Sequence, residues 1–362
     1  MEFKPNFEEL QPYYEAFWNC EVLDKIAVIV KAPKRKGSDI SWFNRFTPYF
    51  LVTQKPDIIL DAFEEYLKEV YYGGLAVPYF LPFLGPDILS AFLGAEIQFS
   101  PESKETSWID WSKPLLPDYK NLEQLYIDES NPLYQKYLNL TKAAAERGKN
   151  RYIVGVTDLH SNFDALCVLR GGPDRACMDL IDYPEEAKKV INFLYKAWQK
   201  VYDDYWSIVK DIQKGSTTWI DIWAPGKMFP VQNDFSCLVS SSVYKEFFLE
   251  ELLWEIEYLD YSIYHLDGVE ALQHLDILLD IPKLNAIQWV SGAKFSSVSI
   301  ERWIPLYQKI QAKKKAIIVY PKLHEIDIVL ENLRPEGLLL SLSCSCQEEA
   351  KEVLKKLGWK ND

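Results

Sequence analysis

The sequence predicts an α/β fold, a single barrel of alternating strands and helices, and three observations predict it. From about residue 151 onward, short apolar, β-branched runs alternate with longer amphipathic stretches of helical period. The connections between them are short, which implies parallel strands joined by right-handed crossovers. No Gly/Ser-rich linker or change of composition divides residues 1–150 from 151–362, so the 362 residues read as one domain.

The strand candidates of the regular part are 152–156, 217–220, 262–264, 286–289, 316–320 and 337–342. Each is short and free of charge, as expected of strands buried on both faces. Between them lie helical patterns at 184–213, 241–258, 269–279, 299–311, 325–332 and 347–357. The longest carries Val190, Phe193, Leu194, Trp198 and Val201 at helical spacing and stops at Gly215. These six strand–helix units nearly fill an eight-stranded barrel. The less regular part, 1–150, supplies a strand at 25–31, a helix at 62–71 and a second strand at 75–80. Residues 100–130, with Trp108, Asp110, Trp111 and several prolines, are expected to form an irregular excursion or a small lid.

Charge and composition limit the functions available. The chain has 53 acidic and 40 basic side chains, a net charge of −13, and no extended basic face for a nucleic acid. Its densest basic run outside the C-terminal helices, Lys31–Lys36 with Ala32 and Pro33 inside it, is expected to be a solvated loop. No stretch has the apolar length needed to cross a bilayer. The opening Met1-Glu2-Phe3-Lys4 lacks the pattern of a signal peptide. Six cysteines are too sparse for a disulfide scaffold, so the expectation is a cytoplasmic protein with reduced thiols. Aromatic residues reach 14%, and so many amphipathic rings suit the walls of a deep pocket for a small organic molecule.

Polar side chains recur after the strand candidates: Asp158 and His160 after the first, Asp221 and Trp223 after the second, His265 and Asp267 after the third. Gln288 and Trp289 end the fourth, Tyr320 ends the fifth, and Cys344 and Cys346 follow the last. In an α/β barrel that end carries the active site, so a pocket is expected there. Asp158 and Asp221 have an alternative use as helix caps. His265 and Asp267, two apart on a strand, leave the same face and can share a metal or act as a base with its orienting partner.

Residues 157–172 (TDLHSNFDALCVLRGG), Gln232-Asn233-Asp234-Phe235-Ser236, 261–267 and 287–292 resemble the uroporphyrinogen decarboxylase superfamily, most clearly from about residue 150 to the end. The resemblance implies a (β/α)8 TIM barrel. It also implies one of two activities: decarboxylation, or zinc-dependent methyl transfer from a corrinoid protein to a thiol. The decarboxylases carry an R-x-x-G-R motif whose arginines hold substrate carboxylates, and the corresponding SDISWFNR at 38–45 lacks it. The methyltransferases bind zinc through H-x-C and a distant cysteine. His265 matches the histidine, Asp267 stands in place of the first cysteine, and Cys344 falls 77 positions after Asp267, with Cys346 as substitute. The resemblance therefore implies a zinc methyltransferase acting with a corrinoid protein or a related methyl donor, its metal on His265, Asp267 and Cys344. Asp158, His160, Asp221 and Asp267 are its expected catalytic residues, and Trp223, Asp234, Gln288, Trp289 and Tyr320 its substrate contacts. The alternatives are a metal-free decarboxylase or lyase, with Asp158 or Asp267 stabilising a protonated intermediate, and a barrel that binds without catalysis.

Overall fold

The computed structural model of the protein describes residues 1–104, 106–120, 122, 125–295 and 297–359. Its strands in chain order are β1 (Ala27–Pro33), β2 (Val70–Gly74), β3 (Tyr79–Phe80), β4 (Ile97–Gln98), β5 (Trp108–Ile109), β6 (Ile153–Val154), β7 (Met228–Gln232), β8 (Tyr261–Asp267), β9 (Ala286–Val290), β10 (Ala316–Val319) and β11 (Leu338–Ser343). Seven of them form a central sheet in the order β2-β1-β11-β10-β9-β8-β7, parallel throughout except for β2.

The sheet does not close as a ladder. The space between its edges holds the parallel pair β3–β6 and a hairpin around residues 216–224. Isolated hydrogen bonds link these pieces: Leu75 N–H to the Val28 carbonyl (2.7 Å), Gly155 N–H to Phe80 (2.8 Å) and Val156 N–H to Thr217 (2.9 Å). The result is a barrel-like α/β sheet with a loosely stitched sector.

Helices cover the sheet's outer face. Pro184–Val209 begins with proline at its first turn and Glu185 and Glu186 beside the positive helix end. It buries Val190, Leu194, Trp198, Val201 and Tyr205 at helical spacing. The 241–258 pattern is two helices, Ser241–Phe247 and Leu249–Tyr258, broken where Phe248 leaves the helical region at φ −120°. At the lower end of the sheet Phe7, Tyr14 and Trp18 of the helix Phe7–Trp18 pack against Trp223 and Tyr261, with ring centroids 5.1–5.3 Å apart. They close the floor.

Three expectations need correction. The 62–71 helix is Pro56–Glu69, and the chain turns directly into β2, so Tyr71 is a strand residue. The predicted 75–80 strand is reduced to β3, because Pro78 removes an N–H that a longer ladder would use. Most consequential, 217–220 is the ascending arm of a hairpin. The tip turns at Asp221, whose φ is +69° and whose N–H reaches the Thr218 carbonyl (3.1 Å). The laddered strand comes later, as β7, in a segment whose Pro230 argues against a strand on sequence grounds.

The described part of 100–130 is irregular apart from the short β4–β5 hairpin; residues 105, 121, 123 and 124 lie outside the described residues. Buried Arg170 pins this excursion, donating to Asp179 and to the Leu116 carbonyl with its guanidinium 4.3 Å from the centre of the Tyr119 ring.

Candidate functional site at the strand ends

Parallel strands in register put Gln232, His265 and Gln288 side by side on the inner face, because each is the pairing partner of the next across β7, β8 and β9. Asp267 follows two residues beyond His265 on that face. These strand ends border a cavity of about 1030 Å3. Asp158, His160, Asp221, Asp234, His265, Asp267 and Cys344 all line it, together with Lys31, Tyr79, Trp219 and Gln232. The opposite wall is apolar, from Ile40, Trp42, Phe43, Leu81, Phe83 and Pro86. No described residue of 100–130 lines the cavity, so the cover expected of that stretch comes from segment 40–43, which enters the short helix Trp42–Arg45, and from the 81–86 loop instead.

The polar wall is a sequence of specific contacts. Gln232 Nε2 donates to Asp158 Oδ1 (2.7 Å). His160 lies between two carboxylates, Nε2 at 3.1 Å from Asp158 and Nδ1 at 3.3 Å from Asp164. Burial pushes its pKa down, but the carboxylates outweigh burial and hold it well above the usual histidine range. His160 is therefore an imidazolium at neutral pH. Asp164 also accepts the backbone N–H groups of Asp234 (2.8 Å) and Phe235 (2.7 Å), which fixes the turn after β7.

His265 Nδ1 lies 2.6 Å from Gln288 Oε1, and Gln288 Nε2 donates to the Tyr320 hydroxyl (2.6 Å). Gln288 accepts through Oε1, so Nδ1 carries the imidazole proton and Nε2 keeps a free lone pair. Ligand atoms of Asp234, His265 and Asp267 all lie within 4.8 Å of one another. A second group, His160, Asp164 and Asp234, meets the same limit, but there both imidazole nitrogens already face carboxylates. Burial raises the Asp234 pKa to about 6, Asp164 adds to this, and His160 and His265 oppose it. Its Oδ1 is buried without a partner.

Cys344 borders the cavity but belongs to neither group of donors. Burial, aided by Glu349 and Cys346, pushes its thiol up to about 11, so it is neutral at physiological pH. Cys346 does not line the cavity. Trp223 is misplaced by the sequence analysis. It sits on the descending arm of the 216–224 hairpin, 2% exposed, its ring in the floor and its indole N–H on the Lys214 carbonyl (2.7 Å). Trp289 points away from the main cavity and, with Tyr320 and Asp267, lines an adjoining one of about 460 Å3.

Three functional positions escaped the sequence analysis. The basic run that begins at Lys31 reads as a solvated loop, yet the Lys31 ammonium lies 2.5 Å from Asp221 Oδ1 and 4.6 Å from the centre of the Tyr79 ring. Tyr79 donates to the same carboxylate oxygen. Lys31 ends the 25–31 strand, so the rule that picked out the other strand ends applies to it too. Asp164 has no such signal, because it is an ordinary first-turn helix acid in the sequence.

The fold and site define an α/β protein with a deep cavity at the C-terminal ends of a mostly parallel sheet, the place such folds put small-molecule chemistry. No protein-family model matches the chain, and no curated protein matches it. Among solved structures it is similar to a methyltransferase from Methanosarcina mazei, with a TM-score of 0.60 over 93% of each chain at 12% sequence identity. That likeness shows a shared fold. Among the described residues no helix is long and apolar enough to cross a membrane.

Proposed function

We propose that this protein is a methyltransferase that uses a divalent metal, zinc by its ligand chemistry, to activate a small-molecule acceptor for a methyl group delivered by a corrinoid protein. The barrel-like fold shared with a methyltransferase supports the class. The observation that carries the chemistry is the convergence of Asp234, His265 and Asp267 at the strand ends. One imidazole nitrogen, fixed in tautomer by a neighbouring amide, and two carboxylates are a fitting set for a catalytic zinc site, which uses three protein ligands and an open position. The partnerless Asp234 oxygen is the kind of atom such an ion satisfies.

Bound there, the metal supplies Lewis acidity that lowers the pKa of an acceptor. The chain's own residues do the rest. Gln288 and Tyr320 hold the imidazole proton on Nδ1. The His160 imidazolium opposes protonation of Asp234. Trp42, Phe43 and Phe83 keep water from the opposite wall. Asp234 takes the place the sequence analysis gave to Cys344, making the ligand set harder than a thiolate set. A polycarboxylate substrate for decarboxylation is poorly matched: Lys31 is the one Lys or Arg among the described lining residues, and Asp221 already engages it.

The test measures zinc per chain in wild type, His265→Ala, Asp234→Asn and Cys344→Ser, alongside demethylation of methylcobalamin by a panel of thiols. We expect stoichiometric metal and turnover in wild type and in Cys344→Ser. His265→Ala and Asp234→Asn should lose metal and at least about 100-fold in rate. Metal-replete wild type that demethylates nothing would remove this proposal.

A further inference from the structure

The 460 Å3 cavity beside the main one is walled by Trp289, Trp303, Tyr307 and Tyr320, with Ile300 at its side. Trp289 and Trp303 meet edge to face, with centroids 5.3 Å apart. Asp267 lines both cavities, so it stands on the wall between them, and it is the single charged side chain among the described residues lining the smaller one. Gly292 leaves the approach to that carboxylate clear. A Cβ there would sit 3.9 Å from Asp267 Oδ1, and at φ +72° the position disfavours any side chain.

Aromatic walls around one carboxylate, with no lining cation, select an organic cation. Ring faces attract a methylated ammonium that cannot donate hydrogen bonds, and the carboxylate balances its charge. The wall already behaves this way toward solvent, where exposed Arg302 stacks 5.2 Å from the Trp303 centroid and 5.3 Å from that of Phe295 without lining the cavity.

We infer that this annex binds the quaternary or methylated ammonium group of a small organic molecule and presents the rest of that molecule past Asp267 to the His265 site. The inference depends on the proposed function for that site's chemistry and not for the binding itself. The experiment therefore compares choline with its uncharged carbon isostere, 3,3-dimethylbutan-1-ol, by calorimetry on the full chain, both metal-replete and chelator-treated. Choline should bind at least about tenfold more tightly than the isostere in the chelator-treated chain, where Asp267 carries no metal, and severalfold more tightly in the metal-replete one, where the ring walls remain. Trp303→Leu should abolish that preference while leaving zinc content unchanged. Tyr320→Leu, at a side chain 40% exposed, should weaken it severalfold in the chelator-treated chain, where the lost hydrogen bond to Gln288 cannot act through the metal. Equal affinity for the two compounds, no binding of choline, or a preference that survives both substitutions would overturn the assignment. Absence of zinc alone would bear on the proposed function and leave this one readable.

Discussion

The two walls of the main cavity are built by different means. The polar wall comes mainly from strand ends of the later half of the chain, with Lys31 and Tyr79 from the earlier half, and buried charge and hydrogen bonds hold it: His160 between Asp158 and Asp164, and Gln288 between His265 and Tyr320. The apolar wall comes from two segments of the earlier half, one entering the short helix Trp42–Arg45 and the other the 81–86 loop, and ring packing holds it. Trp42 lies against Phe46, Phe63, Tyr66 and Phe80, with centroids 4.5–5.9 Å apart. A charge network tolerates little displacement, because each member lost leaves a buried partner unsatisfied. A packed aromatic cluster is less directional. Positional accuracy therefore belongs to the polar wall and adaptability to the apolar one.

The strongest way to break this contrast is His160→Ala. It strips the cation from two carboxylates, and we expect a loss of about 3–5 kcal/mol in denaturant unfolding at pH 7. Because the folded pKa of His160 is raised, its stabilisation is complete below the unfolded value of 6.5 and disappears as pH rises through the folded value. The deficit of the variant should therefore shrink in alkaline buffer. A deficit independent of pH would mean that packing, not charge, holds this wall.

A second substitution sharpens the same side. Behind the 157–162 loop, Glu251 and Glu255 lie one helical turn apart, each 2% exposed, and the Ser161 hydroxyl donates to Glu255. Burial raises both, Glu255 to about 8. Between pH 4.5 and 8 the folded chain keeps a proton that the unfolded chain has released, so stability falls as pH climbs through that window. Glu255→Gln retains the acceptor for Ser161 and removes the ionisation. Its thermal midpoint should exceed wild type by about 2–4 °C at pH 8 and match it at pH 5. Equal midpoints at both values would show that Glu255 carries no excess proton.

The smallest effect is expected on the other wall. Arg45 joins its loop to Glu69 (2.6 Å) and to the Asp39 carbonyl (2.6 Å), in a half-exposed ion pair. Arg45→Ala should cost under about 1 kcal/mol and leave cavity ligands bound as before. A large loss of binding would place a cation role on the wall described here as apolar.

How much of this was legible in the sequence follows the same division. Period and β-branching located five of the six strands of the regular half, and their polar ends gave Asp158, His160, His265 and Asp267. The hairpin was not legible, because 217–220 has strand composition and the turn at Asp221 demands a left-handed backbone that an aspartate does not announce. That error carried Trp223 to the wrong end of the sheet while leaving Asp221 on the cavity. Asp234 was named as a substrate contact, but its nearness to His265 depends on Asp164 pinning the following turn, a contact across about 70 residues. The apolar wall was illegible for a related reason: its loops have no period, and only the fold brings 40–43 and 81–86 together.

The floor has a consequence for how the chain is made. Trp18 donates its indole N–H to the Trp223 carbonyl (3.0 Å) and its ring rests on Tyr261, so the first helix is sealed by residues more than 200 positions later. Contacts of that sequence separation close slowly, and on a ribosome they cannot close until the later partner has emerged. Until those partners are made, the helix Phe7–Trp18 has no socket for Phe7, Tyr14, Phe17 and Trp18. We expect pulse-labelled hydrogen exchange to find its amides among the last protected. A nascent chain released before Tyr261 should be the one most in need of a chaperone.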